Sequence, residues 1–207
     1  MKKALLLGDY TNYTWHGLRG VDEQIISILS DYTVDVCVDY AHLTLERLQE
    51  YDFVIDYIDG WNLTGNCDCA GALLSYAALG GSMLCLHNGI IKRGNPELCQ
   101  MVGGAFTGHP QQEMLQYEVK TVHPMTKGLA PFEIDEEPYM FTLDNLMEHT
   151  MLMEYIYKGE RYPAAWLRKF GMGKVVYIAP GHNAKSFEVE GFRELLRRAA
   201  RYLAHEL

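Results

Sequence analysis

The residues best able to do chemistry in this chain are histidines that stand just beyond apolar runs. His16 lies in Trp15-His16-Gly17, shortly after the run Lys3 to Leu7 and its Gly8-Asp9 exit. His87 ends the stretch Met83-Leu84-Cys85-Leu86-His87 and is followed by Asn88-Gly89. His182 lies in Pro180-Gly181-His182-Asn183, just past Lys174 to Ile178. Asp59-Gly60-Trp61-Asn62 occupies the same place after a further run. In a doubly wound sheet, ligands collect at the carboxyl ends of the strands. Three of the eight histidines therefore fall where a site is expected.

The segment around His87 has the form of a nucleophile elbow, with a buried strand, a sharp turn and a glycine two residues on. Acyl-transfer enzymes place Cys or Ser at that turn, and this chain places His. An elbow faces a helix N-terminus, an electropositive place that favours a neutral imidazole or an anionic ligand. Cys85 lies two residues earlier on the same strand face. It is too deep in an apolar strand to act as a nucleophile, because such a setting raises a thiol's pKa.

The elements that must position these residues alternate between strand and helix. Strands are predicted at Lys3–Leu7, Val34–Val38, Asp52–Ile58, Ser82–Leu86, Tyr162–Leu167 and Lys174–Ile178. Helices are predicted at Gly20–Leu29, Thr44–Tyr51, Thr64–Leu79, from Pro96 to Val102 and at Gly191–His205. Thr44 is the expected N-cap of the second and Pro96 opens the fourth. Between Glu113 and Tyr157 the pattern changes to alternation at Glu113–Val122, Glu133–Phe141 and Thr150–Tyr157, an inserted set of antiparallel strands. The order predicts an α/β fold, three-layered and flavodoxin-like, with a mostly parallel central sheet carrying an antiparallel insertion. Residues 1–207 are expected to form one domain.

Composition narrows the partners. The chain has 207 residues, 48% of them hydrophobic, and a formal net charge of −9 with no long basic run. Nucleic acid and anionic membrane surfaces are poor partners for such a chain. The apolar run at the N-terminus is shorter than a secretory core, and no apolar stretch approaches a membrane span, so a cytoplasmic protein is expected. Five cysteines, Cys37, Cys67, Cys69, Cys85 and Cys99, fit free thiols in a reducing compartment. Cys67 and Cys69 are a close pair with no matching second pair, and read as incidental.

Several segments in order resemble the ThuA-like, or trehalose-utilisation, family. They are Gly80–Gly89, Gly103-Gly104-Ala105-Phe106 with His109-Pro110, His123-Pro124-Met125-Thr126-Lys127-Gly128-Leu129, Phe132 to Tyr139, Pro163–Trp166, Gly171–Tyr177 and Pro180-Gly181-His182. The resemblance covers about residues 75–205. Asn88 stands where the family often has Ser, and Glu136 where Asp is common. The resemblance implies a class I glutamine-amidotransferase-like fold without its catalytic Cys, hence no glutaminase activity. It also implies a role in sugar catabolism, notably of disaccharides oxidised to 3-keto derivatives. It favours Glu137 over Glu136 as the carboxylate of the site, since strand alternation would send the two to opposite faces.

The candidate catalytic residues are therefore His16, His87, His182 and Glu137, with His109 on a loop able to fold over the pocket. Asn88, Trp15, Trp61 and Asn183 are candidates for contact with substrate, the tryptophans through flat faces suited to a sugar ring. Trp166 reads as core and His123 as structural. His42, His149 and His205 are expected at the surface. Gly171-Met172-Gly173 is a turn between strands with no helix start to make a phosphate loop.

Three functions fit. The first is acid–base chemistry on a small-molecule keto-sugar, in which His or Glu removes an acidified C–H proton while another histidine or a metal stabilises the enolate. The second is a hydrolase using a divalent metal such as zinc, held by scattered ligands because no HExxH spacing is present. The third is a non-catalytic sugar-binding or regulatory module. A homodimer is the default assembly.

Overall fold

The computed structural model describes residues 1–62 and 68–207. Cys67 and residues 64–67 of the third predicted helix lie outside the described residues. The chain runs β1 (Lys3–Leu7), α1 (Val21–Ile28), β2 (Thr33–Cys37), α2 (Leu45–Leu48), β3 (Phe53–Asp56), α3 (Asp68–Ala78), β4 (Ser82–Leu86) and α4 (Pro96–Val102). It continues with β5 (Gly104–Gly108), β6 (Glu113–Val119), β7 (Phe132–Glu136), β8 (Met140–Leu143), β9 (Thr150–Tyr157), β10 (Glu160–Phe170), β11 (Gly173–Ile178) and α5 (Glu190–Leu203). The main sheet has the order β2-β1-β3-β4-β11-β10-β9-β6-β7. Strands β2, β1, β3, β4 and β11 are parallel, and from β10 outward each pairing is antiparallel. The inserted strands thus extend the same sheet. Among the described residues, no helix is long and apolar enough to cross a membrane.

Strand alternation feeds two cores. Leu6, Leu84 and Leu86 point to the layer of α1 and α5, whereas Leu5, Leu7, Met83 and Cys85 point to the layer of α3 and α4. Every residue of β4 is buried, as a central strand covered on both faces requires. Helix α5 buries Phe192, Leu195, Leu196, Ala199 and Leu203 along one stripe. Phe192 and the three leucines each contribute about 1.5–3 kcal/mol on burial. Trp166 is fully buried and donates its indole N–H to the Val102 carbonyl, 2.8 Å away. The Thr44 side chain caps α2 by accepting from Arg47 N.

Two predicted segments differ. Glu133–Phe141, expected as one strand, is two: β7 ends at Glu136, and β8 leaves the main sheet to pair with β5. Pro138 has no N–H to give a ladder, and Tyr139 N turns back to the Glu137 carbonyl at 2.8 Å. The segment Phe106-Thr107-Gly108, expected as a loop, belongs to β5; its glycines hide the alternation. His149 is also less exposed than expected, because a ring nitrogen lies 2.8 Å from the Gly103 carbonyl oxygen.

The elbow after β4 forms a sharp turn, but the helix N-terminus expected beside His87 is not there: the next helix, α4, begins only at Pro96. His87 starts a single 3-10 turn, His87–Ile90, at φ 43°, in the left-handed region that non-glycine residues seldom enter. The turn is locked against the end of β3. Lys92 beyond it pairs with Asp56 at 2.6 Å, both side chains fully buried. Gly89 lies so close that a Cβ there would stand 2.3 Å from the Asp56 carbonyl oxygen. Gly89→Ala should therefore cost about 1–3 kcal/mol by forcing backbone apart. Denaturant unfolding measures this, with Gly71→Ala as the comparison, since nothing lies within 4 Å of a Cβ there.

Candidate functional site

Strand ends bring three histidines together. His16 comes from the loop after β1, His87 from the turn after β4 and His182 from the loop after β11. Glu137 arrives from the other half of the sheet, just past β7. One ligating atom from each of the four lies within 4.8 Å of all the others. Glu137 Oε2 is 3.5 Å from His16 Nε2, 3.4 Å from His87 Nε2 and 3.2 Å from His182 Nδ1. His16 Nε2 is 3.2 Å from His182 Nδ1 and 3.3 Å from His87 Nε2.

Each member is held by backbone contacts. A single carboxylate oxygen of buried Asp59 accepts the N–H groups of Thr14, Trp15 and His16, at 3.0, 2.6 and 3.0 Å, and so fixes the His16 loop. Fully buried Glu136 accepts from Gly181 N at 2.6 Å, His182 N at 3.1 Å and Ser186 Oγ at 3.0 Å, and so fixes the His182 turn. Tyr57 donates to the Gly181 carbonyl at 2.7 Å, and Tyr177 to the His87 carbonyl at 3.0 Å. His87 Nδ1 lies 2.8 Å from the Ala179 carbonyl oxygen, which assigns the ring proton to Nδ1 and leaves Nε2 with a free lone pair aimed at the cluster.

Burial and charge set the protonation states. Burial pushes the His87 imidazole down to about 3, so it is neutral at physiological pH. Burial alone would raise Glu137, but the imidazoles of His16, His182 and His87 gathered around it outweigh that and hold the carboxyl well below its usual range. The Glu137 carboxylate beside it raises His182. Burial raises Glu136 to about 7, against the opposing bonds from Gly181 N and Ser186.

The cluster opens on a cavity of about 470 Å³, whose walls include His16, Glu137, His182 and His109 and the aromatic side chains of Trp15, Trp61, Phe106 and Tyr139. His87 forms the back of the cluster and is fully buried. His109 Nε2 lies 3.6 Å from Glu137 Oε1, and its ring stacks on Tyr139 at 5.5 Å between centroids. Trp15 is two-thirds exposed at the rim.

The four donors also suit a metal. A tetrahedral cation bound at about 2.0–2.1 Å needs donors about 3.3 Å apart. Five of the six separations run from 3.2 to 3.5 Å, and the sixth, between His87 and His182, is within 4.8 Å. Glu137 Oε2 is buried and has no well-formed hydrogen bond, which fits an oxygen placed for a cation.

The placement corrects two expectations. Asn88 lies fully buried beneath the elbow, where its amide donates to the Tyr57 carbonyl at 2.9 Å; it does not line the cavity. Asn183 is likewise off the cavity wall, its Oδ1 accepting from Lys185 N at 2.9 Å. Glu136, passed over in favour of Glu137, has a role of its own: it is a buried clamp on the His182 turn. Sequence reasoning missed this clamp, the Asp59 clamp and Tyr139. Asp59 was visible only as a polar residue past β3, and nothing local says which N–H groups it will receive.

These features define an α/β protein with a histidine–carboxylate centre at the strand ends of a parallel half-sheet. The chain belongs to the ThuA family: the family's sequence model, described as trehalose utilisation, matches residues 16–203, which include all four members of the cluster. A ThuA-like protein from Bacteroides uniformis is 20% identical, over 98% of this chain and 91% of its own, with a TM-score of 0.78. Another from Parabacteroides merdae is 18% identical, over 98% and 90%, with a TM-score of 0.79. A beta-galactosidase from Rahnella sp. R3 shares the fold over 98% of this chain but only 31% of its own, at 16% identity and a TM-score of 0.71. At these identities the likeness shows the fold alone. No curated protein matches the sequence.

His87 gives this site a pH signature. Its folded pKa, near 3, lies below the ordinary 6.5, so the unfolded chain binds the extra proton between those values. Stability contributed by neutral His87 is therefore full above about pH 6.5 and is lost as pH falls toward 3. With chelator present, thermal melts of His87→Gln should lose less on acidification than wild type. Equal pH slopes would mean that His87 is not buried neutral.

Proposed function

We propose that this chain is an enzyme of sugar catabolism that acts on a 3-keto-disaccharide or related glycoside at a divalent-cation centre made by His16, His87, Glu137 and His182. The observation that carries the centre is the convergence of four donor atoms within 4.8 Å of one another, three imidazole nitrogens and one carboxylate oxygen. Zinc is the first choice for such a set, and imidazole also suits iron or nickel. The family's description supports the sugar.

When bound, the cation would supply a positive charge beside the substrate's keto oxygen. The protein's own residues do the rest. His16, Glu137 and His182 border the cavity, so the keto group approaches from that side. His109 lines the same cavity without belonging to the cluster, and serves as the proton carrier. A ketone acidifies the C–H beside it. His109 Nε2 takes that proton, the electron pair forms a carbon–carbon double bond, and the glycosidic C–O bond one carbon further on breaks. The departing oxygen receives a proton, so atoms and charge balance. Returning the first proton to a different position instead gives isomerisation. Tyr139 keeps the His109 ring in place by stacking. The aromatic walls exclude water, which strengthens every charge interaction inside.

Direct hydrolysis at the same cation is the second reading, and the four-donor set favours it equally. The two separate with substrate deuterated on the carbon next to the ketone: elimination releases that deuterium to solvent, and direct hydrolysis leaves it in place.

Elemental analysis of protein purified without chelator or histidine tag should find a divalent metal near stoichiometry. Glu137→Gln should lose most of it; a metal-free wild type would overturn the cation centre. His109→Ala should keep the metal and lower kcat about 10²–10⁴-fold on a 3-keto-disaccharide, the usual worth of a general base. Unchanged turnover would remove His109 from the reaction.

A further inference from the structure

The cavity at the histidine cluster has a neighbour. A second cavity of about 380 Å³ adjoins it, and Trp61, Phe106 and Gly108 belong to the walls of both. Each volume falls within the roughly 300–1,000 Å³ of small-molecule sites. Strand β5 runs along both: Ala105 and Thr107 face the second cavity, and His109 just beyond the strand faces the first. Phe106 packs edge-on against Trp61, with centroids 6.1 Å apart, and the two rings mark the boundary.

The second cavity carries hydrogen-bonding chemistry that the fold does not consume. Lys92 is spent, since its ammonium is buried against Asp56. Arg93 is different. Its guanidinium lies 3.9 Å over the Trp61 ring and forms no ion pair among the described residues. Stacking on an aromatic face leaves the in-plane N–H donors free. The Trp61 indole nitrogen is buried and has no hydrogen-bond partner among the described residues. A buried donor left unmet costs about 1–3 kcal/mol, so an acceptor is expected there in the working state. Thr107 adds a hydroxyl, and Ile90 and Ile91 supply an apolar floor. Donors at the edge and flat apolar surface beneath are what a polyhydroxylated ring presents a complement to, with its hydroxyls around the rim and its C–H groups on the face.

We propose that this second cavity is the subsite for the non-reacting half of a two-part substrate. One sugar unit stands at the histidine cluster, and the second, hydroxyl-rich unit sits on Trp61, Phe106 and Ile90 with its oxygens toward Arg93 and the Trp61 N–H. The inference rests on the sugar reading of the first cavity and adds where the second unit goes. It also gives the binding of that unit a use: contacts to a part of the substrate that does not react can hold the reacting part in register.

The test is a calorimetric titration of the intact, metal-loaded chain with trehalose, maltose and sucrose, unreactive disaccharides that need no prior oxidation. Wild type should bind at least one of them. Arg93→Ala should weaken that binding about tenfold, the worth of one hydrogen bond to a charged group. Thr107→Trp, which fills the second cavity from an exposed position on β5, should weaken it at least as much. Metal content and melting temperature should match wild type for both variants, and Arg93→Lys should recover part of the loss. Disaccharide binding that is untouched by both variants, yet weakened by His109→Ala, would overturn the subsite while leaving the sugar reading intact. Absence of binding by any disaccharide to wild type, together with no turnover of their 3-keto forms, would defeat the sugar reading and this inference with it.

Discussion

Glu137 Oε2 sits among three imidazole nitrogens at 3.2–3.5 Å, and the rest of the site is arranged to make that crowding tolerable. Four electron-rich atoms do not gather unaided. They need protons between them, or a cation, and they need rigid attachment. Two buried carboxylates provide the attachment at a distance. Asp59 collects three N–H groups of the His16 loop, and Glu136 collects two from the His182 turn together with a serine hydroxyl. Neither touches the reacting space. Both satisfy backbone donors that loops would otherwise leave bare, which is why the loops hold one shape.

The sheet explains how the parts meet. Its five parallel strands put the exits of β1, β3, β4 and β11 on one edge, so three histidines arrive with little further arrangement. The antiparallel strands then carry Glu136 and Glu137 back to that edge, where Pro138 ends β7 and sends the chain into β8. The switch of sheet is what lets consecutive glutamates do different work: one lies inside as a clamp, the other reaches the cluster. Strands β5 and β8 form the outer wall with Phe106 and Tyr139, which gives the site its cavity and separates it from the second one.

The elbow is an old device put to another use. A strained turn at φ 43° presents its residue at the strand end, but a histidine there lies deeper than a nucleophile would. Its ring is fully buried, tilted against Tyr139 at 4.1 Å, and tied to Ala179. Removing this histidine should therefore lower stability as well as disturb the site. A buried neutral imidazole bonded on one nitrogen is part of the core as well as of the site. Burial keeps its second nitrogen unprotonated and ready to donate a lone pair.

Much of this was legible from the residues alone. Apolar runs placed β1, β4 and β11 almost to the residue, because a strand buried on both faces must be continuously apolar, and alternation placed β9. The exits of those strands nominated His16, His87 and His182 without any structure, and the ordered segments from Gly80 to His182 carried the family. What sequence could not decide is whatever depends on separations across the chain. Asn88 and Asn183 looked as available as His87 and His182, since adjacent residues share a loop and only packing chooses which one faces the cavity. The β5–β8 pair was hidden because glycines blur alternation. The Asp59 and Glu136 clamps were invisible because the donors they hold lie 43 to 50 residues away, and no local pattern records them. The donor spacing of the cluster, like the wall shared by the two cavities, exists only once the sheet has closed those distances.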